Sequence, residues 1–169
     1  MSFAQDPLSW ILGGCSQENF LSEYMGKKHL LCKSDSRDRF RELLTFERLD
    51  EILGTAGLRF PDLLIVRSQS TIGPEEYVWK DEMVDPMRAA RLFAEGSTII
   101  FNSLQDRNKA LQQICSCLAC QASSKIQANI YLTPPKSQGF NAHWDSHDVF
   151  ILQVEGKKHW QIYDGGEAA

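Results

Sequence analysis

The sequence predicts an α+β chain whose C-terminal part is mainly β. Three observations predict it. Apolar residues recur at helical spacing through much of the first 124 residues. From Lys125 onward the period changes to two. Short apolar runs there are separated by a Pro/Gly loop and a Glu-Gly turn, as in a barrel or sandwich. The chain therefore divides into residues 1–124, an N-terminal α/β region, and residues 125–169, the first part of a β core.

Ser16 can cap a short helix that carries Phe20, Leu21 and Tyr24 inward, and Gly26 stops it. His29 to Lys33 reads as a short strand. Ser36 or Asp38 can start the next helix, with Phe40, Leu43, Leu44, Phe46, Leu49, Ile52 and Leu53 as its apolar residues and Gly54 and Gly57 at its end. Leu63 to Arg67 has the composition of a buried strand. Asp85-Pro86 is a helix start, a capping carboxylate followed by proline in the first turn. Met87, Ala90, Leu92 and Phe93 supply apolar surface, and Gly96 terminates. Ser97 to Asn102 is strand-like. Leu111, Ile114, Cys115, Leu118 and Ala122 form one helical face that predicts a core-facing helix.

In the β part, Ile126, Ala128, Ile130 and Leu132 alternate with Gln127, Asn129 and Tyr131. Pro134 to Gly139 is a loop, Val149 to Val154 a strand, Glu155-Gly156 a turn and Lys158 to Tyr163 a returning strand.

The composition is that of a globular protein: 169 residues, 43% hydrophobic and 24% charged. A net charge of -4 argues against a broad nucleic-acid surface. No apolar run approaches bilayer length. Met1 to Trp10 lacks the basic start and apolar stretch of a secretory signal. Five cysteines without a framework point to a reducing compartment, hence the cytoplasm. Cys115, Cys117 and Cys120 cannot share one helical face, so they read as free thiols rather than a zinc site.

His143-Trp144-Asp145 carries the chemistry. On an extended backbone the imidazole and the carboxylate point to one side, giving a nitrogen and an oxygen ligand around a common point. With a second imidazole they would complete the facial triad that holds non-heme Fe(II). The plain alternative is a solvated surface turn. His147 continues the alternation, but roughly 6–7 Å between alternate residues is too wide for three neighbours on one strand to meet one ion. Lys158 shares a face with Trp160 and Ile162. There it needs an anion such as a dicarboxylate, unless its stem reaches water. Asn129 and Tyr131 share a face of the preceding strand and offer an amide and a phenol, either to a bound carboxylate or to solvent.

These residues resemble the cupin-like JmjC family, the group that includes the ribosomal-protein hydroxylases. The likeness runs through Asn129 to Pro135, Ser137 to Phe140, His143-x-Asp145 to Gln153, and Gly156-Lys157-Lys158-His159-Trp160. Weaker similarity covers Phe20 to Tyr24, Gly26 to Leu31, and Gly96 to Ile100.

The resemblance implies a double-stranded β-helix, the cupin or jelly-roll barrel, behind a helical N-terminal region. It implies Fe(II) as metal, held by His143 and Asp145, and 2-oxoglutarate as co-substrate, its far carboxylate on Lys158 and its pocket lined by Asn129 and Tyr131. No catalytic residue beyond the metal centre is implied. The reaction is hydroxylation of a protein side chain, with a ribosomal protein as substrate class; demethylation of methyl-lysine would use the same step. A homodimer is compatible with it, and neither nucleic acid nor membrane is a partner. In the family pattern the second histidine and the closing strands fall beyond Ala169. The chain is thus expected to hold an incomplete barrel, as part of a longer protein or a truncated relative, and to turn over little by itself. The alternative is a non-catalytic cupin-type binding module lacking the third metal ligand.

Overall fold

The computed structural model describes residues 3–34, 36, 38–67, 70–138 and 140–163. Gly139 of the anticipated loop and residues 164–169 of the second region lie outside the described residues. The chain is α+β. Five helices, α1 (Pro7–Leu12), α2 (Gln17–Glu23), α3 (Phe46–Thr55), α4 (Pro86–Ala94) and α5 (Lys109–Ala122), accompany one antiparallel sheet. Its strands β1 (Leu63–Arg67), β2 (Ser70–Thr71), β3 (Thr98–Phe101) and β4 (Ile130–Leu132) lie in the order β2-β1-β3-β4. Among the described residues this sheet is open and does not close into a barrel.

Local chemistry accounts for the helix ends. Ser16 Oγ accepts from Asn19 N at 3.2 Å, and Asp85 accepts from Met87 N at 3.0 Å and Arg88 N at 3.2 Å. Pro86 occupies the first turn of α4, where its missing N–H costs nothing. Gly96, at φ +100°, closes α4, with Ser97 N bonded back to Leu92 O. The same Asp-Pro signature at Asp6-Pro7 starts α1, a helix the periodicity does not reveal because it is only six residues long.

Register builds the core. Leu63 pairs with Phe101 and Ile65 with Ile99, while Ile130 and Leu132 pair with Phe101 and Ile99. Directly opposed residues lie on one side of a pleated sheet. This face therefore brings together the fully buried Leu63, Ile65, Ile99 and Phe101 with the half-buried Ile130 and Leu132. Helices contribute Leu49 and Ile52 from α3, Ala89 and Leu92 from α4, and Leu111, Ile114, Cys115 and Leu118 from α5. Burial pushes the Cys115 thiol upward, with Asp106 adding to the shift, as expected of an inert core thiol. The opposite pleat direction places Tyr131 across from Ile100.

Four anticipated elements differ. His29 to Lys33 forms no strand. The helix expected from Ser36 or Asp38 starts only at Phe46: residues 38–43 form turns, and Thr45 Oγ1 caps α3 by accepting from Arg48 N at 3.2 Å. Val149 to Val154 and Lys158 to Tyr163 run without strand pairing. A lone hairpin is marginal in water and needs a further strand to hold it. Part of the first stretch still turns inward. Leu152 and Val154 pack against the core, and the Phe150 ring lies 5.9 Å from that of Phe20.

Candidate functional site

The site gathers around the Tyr131 ring. β4 fixes that ring by its pairing to β3. The approach to β4 is fixed as well: Leu104 N donates to Ala128 O at 2.9 Å, and Ala128 N donates to Gln105 Oε1 at 2.9 Å. Two arms reach Tyr131 from the C-terminal stretch. The Phe140 ring meets it edge-on, with centroids 6.0 Å apart and planes at 77°. Lys158 Nζ lies 5.7 Å from the Tyr131 centroid and 5.1 Å from that of Trp160.

Phe140 links the ring to the metal motif, since its centroid is 5.5 Å from that of His143. His143 Nδ1 lies 2.8 Å from Asn141 O. A carbonyl only accepts, so Nδ1 carries a proton, and in the neutral ring Nε2 keeps its lone pair. This is the tautomer a metal-binding imidazole uses when its other nitrogen is tied to a carbonyl. The Asp145 carboxylate is near enough to act on the same phenol. Burial pushes the Tyr131 pKa up, and the Asp145 charge pushes it further. Lys158 keeps contact with solvent, yet partial desolvation between the rings holds its ammonium below the usual lysine value.

Of the residues expected at the site, Lys158 lies over the Tyr131 ring, and His143 stacks on Phe140, which in turn meets Tyr131. Asn129 stands on the exposed side of the chain with Tyr131, but its amide oxygen is engaged elsewhere. It accepts from Ser103 N at 3.1 Å and Gln127 Nε2 at 2.9 Å. His147 is exposed in the same stretch as His143. Among the described residues no group of three His, Cys, Asp or Glu side chains is placed to hold a metal ion. An imidazole nitrogen and a carboxylate, as His143 and Asp145 offer, suit a facial iron site in kind.

Sequence reasoning overlooked the connecting role of Phe140, although the residue belongs to the stretch that carries the resemblance. It also overlooked the Gln105 clamp on Ala128, for which a lone glutamine after a strand offers no signal.

Residues 101–168 match the JmjC domain family, so the resemblance read from Asn129 to Tyr163 is borne out. The particular relatives agree with one another. The chain is 32% identical to the bifunctional lysine-specific demethylase and histidyl-hydroxylase NO66 of Dictyostelium discoideum over 156 residues, 89% of this chain and 29% of that protein. The protein of the same name from Drosophila grimshawi is 32% identical over 93% of this chain and 22% of its own length. That from Aedes aegypti is 31% identical over 98% and 26%. The chain thus spans less than a third of the length of these relatives. Among the described residues no helix is long and apolar enough to cross a membrane.

Proposed function

We propose that this chain supplies the metal- and co-substrate-binding face of an Fe(II)- and 2-oxoglutarate-dependent oxygenase that acts on a protein side chain. One observation supports the reading: a partly desolvated ammonium lies over the Tyr131 ring, and Phe140 bridges that ring to the imidazole of the His143-x-Asp145 motif.

His143 through Nε2 and Asp145 through a carboxylate oxygen would hold the iron. When bound, iron couples oxidative decarboxylation of the 2-oxo acid to hydroxylation of a C–H bond. Lys158 binds the far carboxylate of 2-oxoglutarate; this offsets the desolvation of its charge. The Tyr131 phenol, kept protonated by its surroundings, donates to the same ligand. Phe140 packs between the His143 ring and the phenol and orients the imidazole. Asn129 lines the approach to this pocket from the strand's outer face. The architecture of the whole protein on this reading is a double-stranded β-helix, with residues 125–169 as the first part of its JmjC/cupin core.

The names of the relatives support a protein substrate, with a histidyl side chain or a methylated lysine as the group attacked. A ribosomal protein is the narrower form of this reading, and the cytoplasm the compartment. The test pairs binding with turnover. Mn(II), standing in for Fe(II), should broaden the NMR signals of His143 and Asp145. 2-Oxoglutarate should shift those of Lys158 and Tyr131, and His143→Ala should abolish the broadening. Succinate formation with histidine- or methyl-lysine-bearing peptides then reports catalysis. Ligand binding without succinate favours a non-catalytic module, and no response at Lys158 removes the co-substrate assignment.

A further inference from the structure

Glu155 stands at the bend that precedes Lys158. Its Oε2 accepts a hydrogen bond from Phe46 N at 3.2 Å. Phe46 is the first residue of α3, so its N–H is one of the donors that a helix cannot satisfy internally. Thr45 Oγ1 serves a different donor, Arg48 N, so the two acceptors do not compete. The Glu155 carboxylate also faces the positive end of the α3 dipole.

The chain on either side of Glu155 is organised by this anchor. Before it, Phe150, Leu152 and Val154 are the less exposed residues of their stretch, with Phe150 against Phe20 and the other two against the core, while Val149 and Ile151 face solvent. At the bend, Gln153 Nε2 donates to Glu155 O at 2.7 Å. Gly156 follows at φ +72° with nothing within 4 Å of where a Cβ would stand. The left-handed backbone, not crowding, therefore calls for glycine there. Beyond that bend the chain brings Lys158 over Tyr131.

We propose that Glu155 is a positioning residue: its carboxylate on the start of α3 fixes the Glu155–Gly156 bend and so sets Lys158 against Tyr131. This rests on the reading of Lys158 as the cation that binds 2-oxoglutarate. It gives the helical N-terminal region a direct part in shaping the pocket. Glu155 touches no ligand itself, and its effect passes through the backbone to Lys158.

The experiment uses the full chain with Glu155→Ala, Glu155→Gln and Thr45→Ala. The readouts are the NOE between the Lys158 ε-protons and the Tyr131 ring, and the dissociation constant for 2-oxoglutarate. Glu155→Ala should remove the NOE and weaken binding about tenfold, the order seen when a group that orients a ligand is lost. Glu155→Gln keeps an acceptor oxygen and should retain both. Thr45→Ala loosens α3 without touching the bend, so it should lower the melting temperature and leave the NOE in place. An NOE that survives Glu155→Ala, or that Thr45→Ala removes equally, overturns the proposal. A wild-type chain that ignores 2-oxoglutarate while its NOE still depends on Glu155 rejects the role of Lys158 and upholds that of Glu155.

Discussion

Lys158 and Tyr131 meet with the ammonium 5.7 Å from the ring centroid, although one belongs to the C-terminal arm and the other to a strand of the sheet. The contact puts a cation beside a phenol that also feels Asp145. It ties Lys158 to the sheet, so perturbation there is informative.

Removing the cation should weaken 2-oxoglutarate. A charge-assisted hydrogen bond contributes about 1.5–3 kcal/mol, so Lys158→Ala should cost roughly ten- to hundredfold in affinity. Lys158→Arg keeps the charge and should cost less. Calorimetric titration of both variants checks this, and equal affinity for wild type and Lys158→Ala refutes it.

The His143 tautomer is directly measurable. The bond to Asn141 O requires the proton on Nδ1. The ring nitrogens in a ¹⁵N spectrum at alkaline pH should therefore show Nδ1–H and a bare Nε2. The reverse pattern would remove the pre-set metal-facing nitrogen.

Acid should weaken the contact between α1 and α5. Asp6 caps Ser9 N at 3.2 Å and accepts from Gln121 Nε2 at 2.9 Å and from Gln17 Nε2 at 2.8 Å. The Gln121 bond chiefly, then Ser9 and Gln17, hold its carboxyl below the ordinary range. A depressed folded-state pKa contributes stability that is present above the unfolded value, about pH 4, and is lost as pH falls through the folded value. Melting temperature should drop through that window, and Asp6→Asn should flatten the drop. An unchanged acid slope in Asp6→Asn would exclude this carboxylate as its source.

Truncating the sheet core should be severe. Leu63 is fully buried and pairs with Phe101. Leu63→Ala should cost about 2–5 kcal/mol, read from urea unfolding. A loss within experimental error of zero would mean that the β1–β3 face is not the stabilising centre described above.

Much of this fold was legible in the residues because its signals are local. The Asp85-Pro86 start, the Gly96 stop, the Leu63–Arg67 run and the α5 stripe each follow from a few neighbours, and each appears as expected. The strands at 149–154 and 158–163 did not, since an apolar alternation shows which face turns inward but supplies no partner to pair with. At the site, the alternation that groups Lys158 with Trp160 anticipated the two-ring setting of the ammonium in part. Its meeting with Tyr131 was less accessible, because that depends on how the bend at Gly156 turns the chain. Asn129 shows the limit in the other direction: period two found its face, and only the Ser103 turn reveals what its oxygen binds.

The order of the sheet carries a consequence for synthesis. β1 and β3 pair with each other before the residues of β4 are reached along the chain, and α5 lies between. A nascent polypeptide leaving the ribosome can close that central pair first and add the Tyr131 strand to a finished template. The groups around Tyr131 are then seated on a sheet already paired at its centre, and a defect in them leaves that central pair intact.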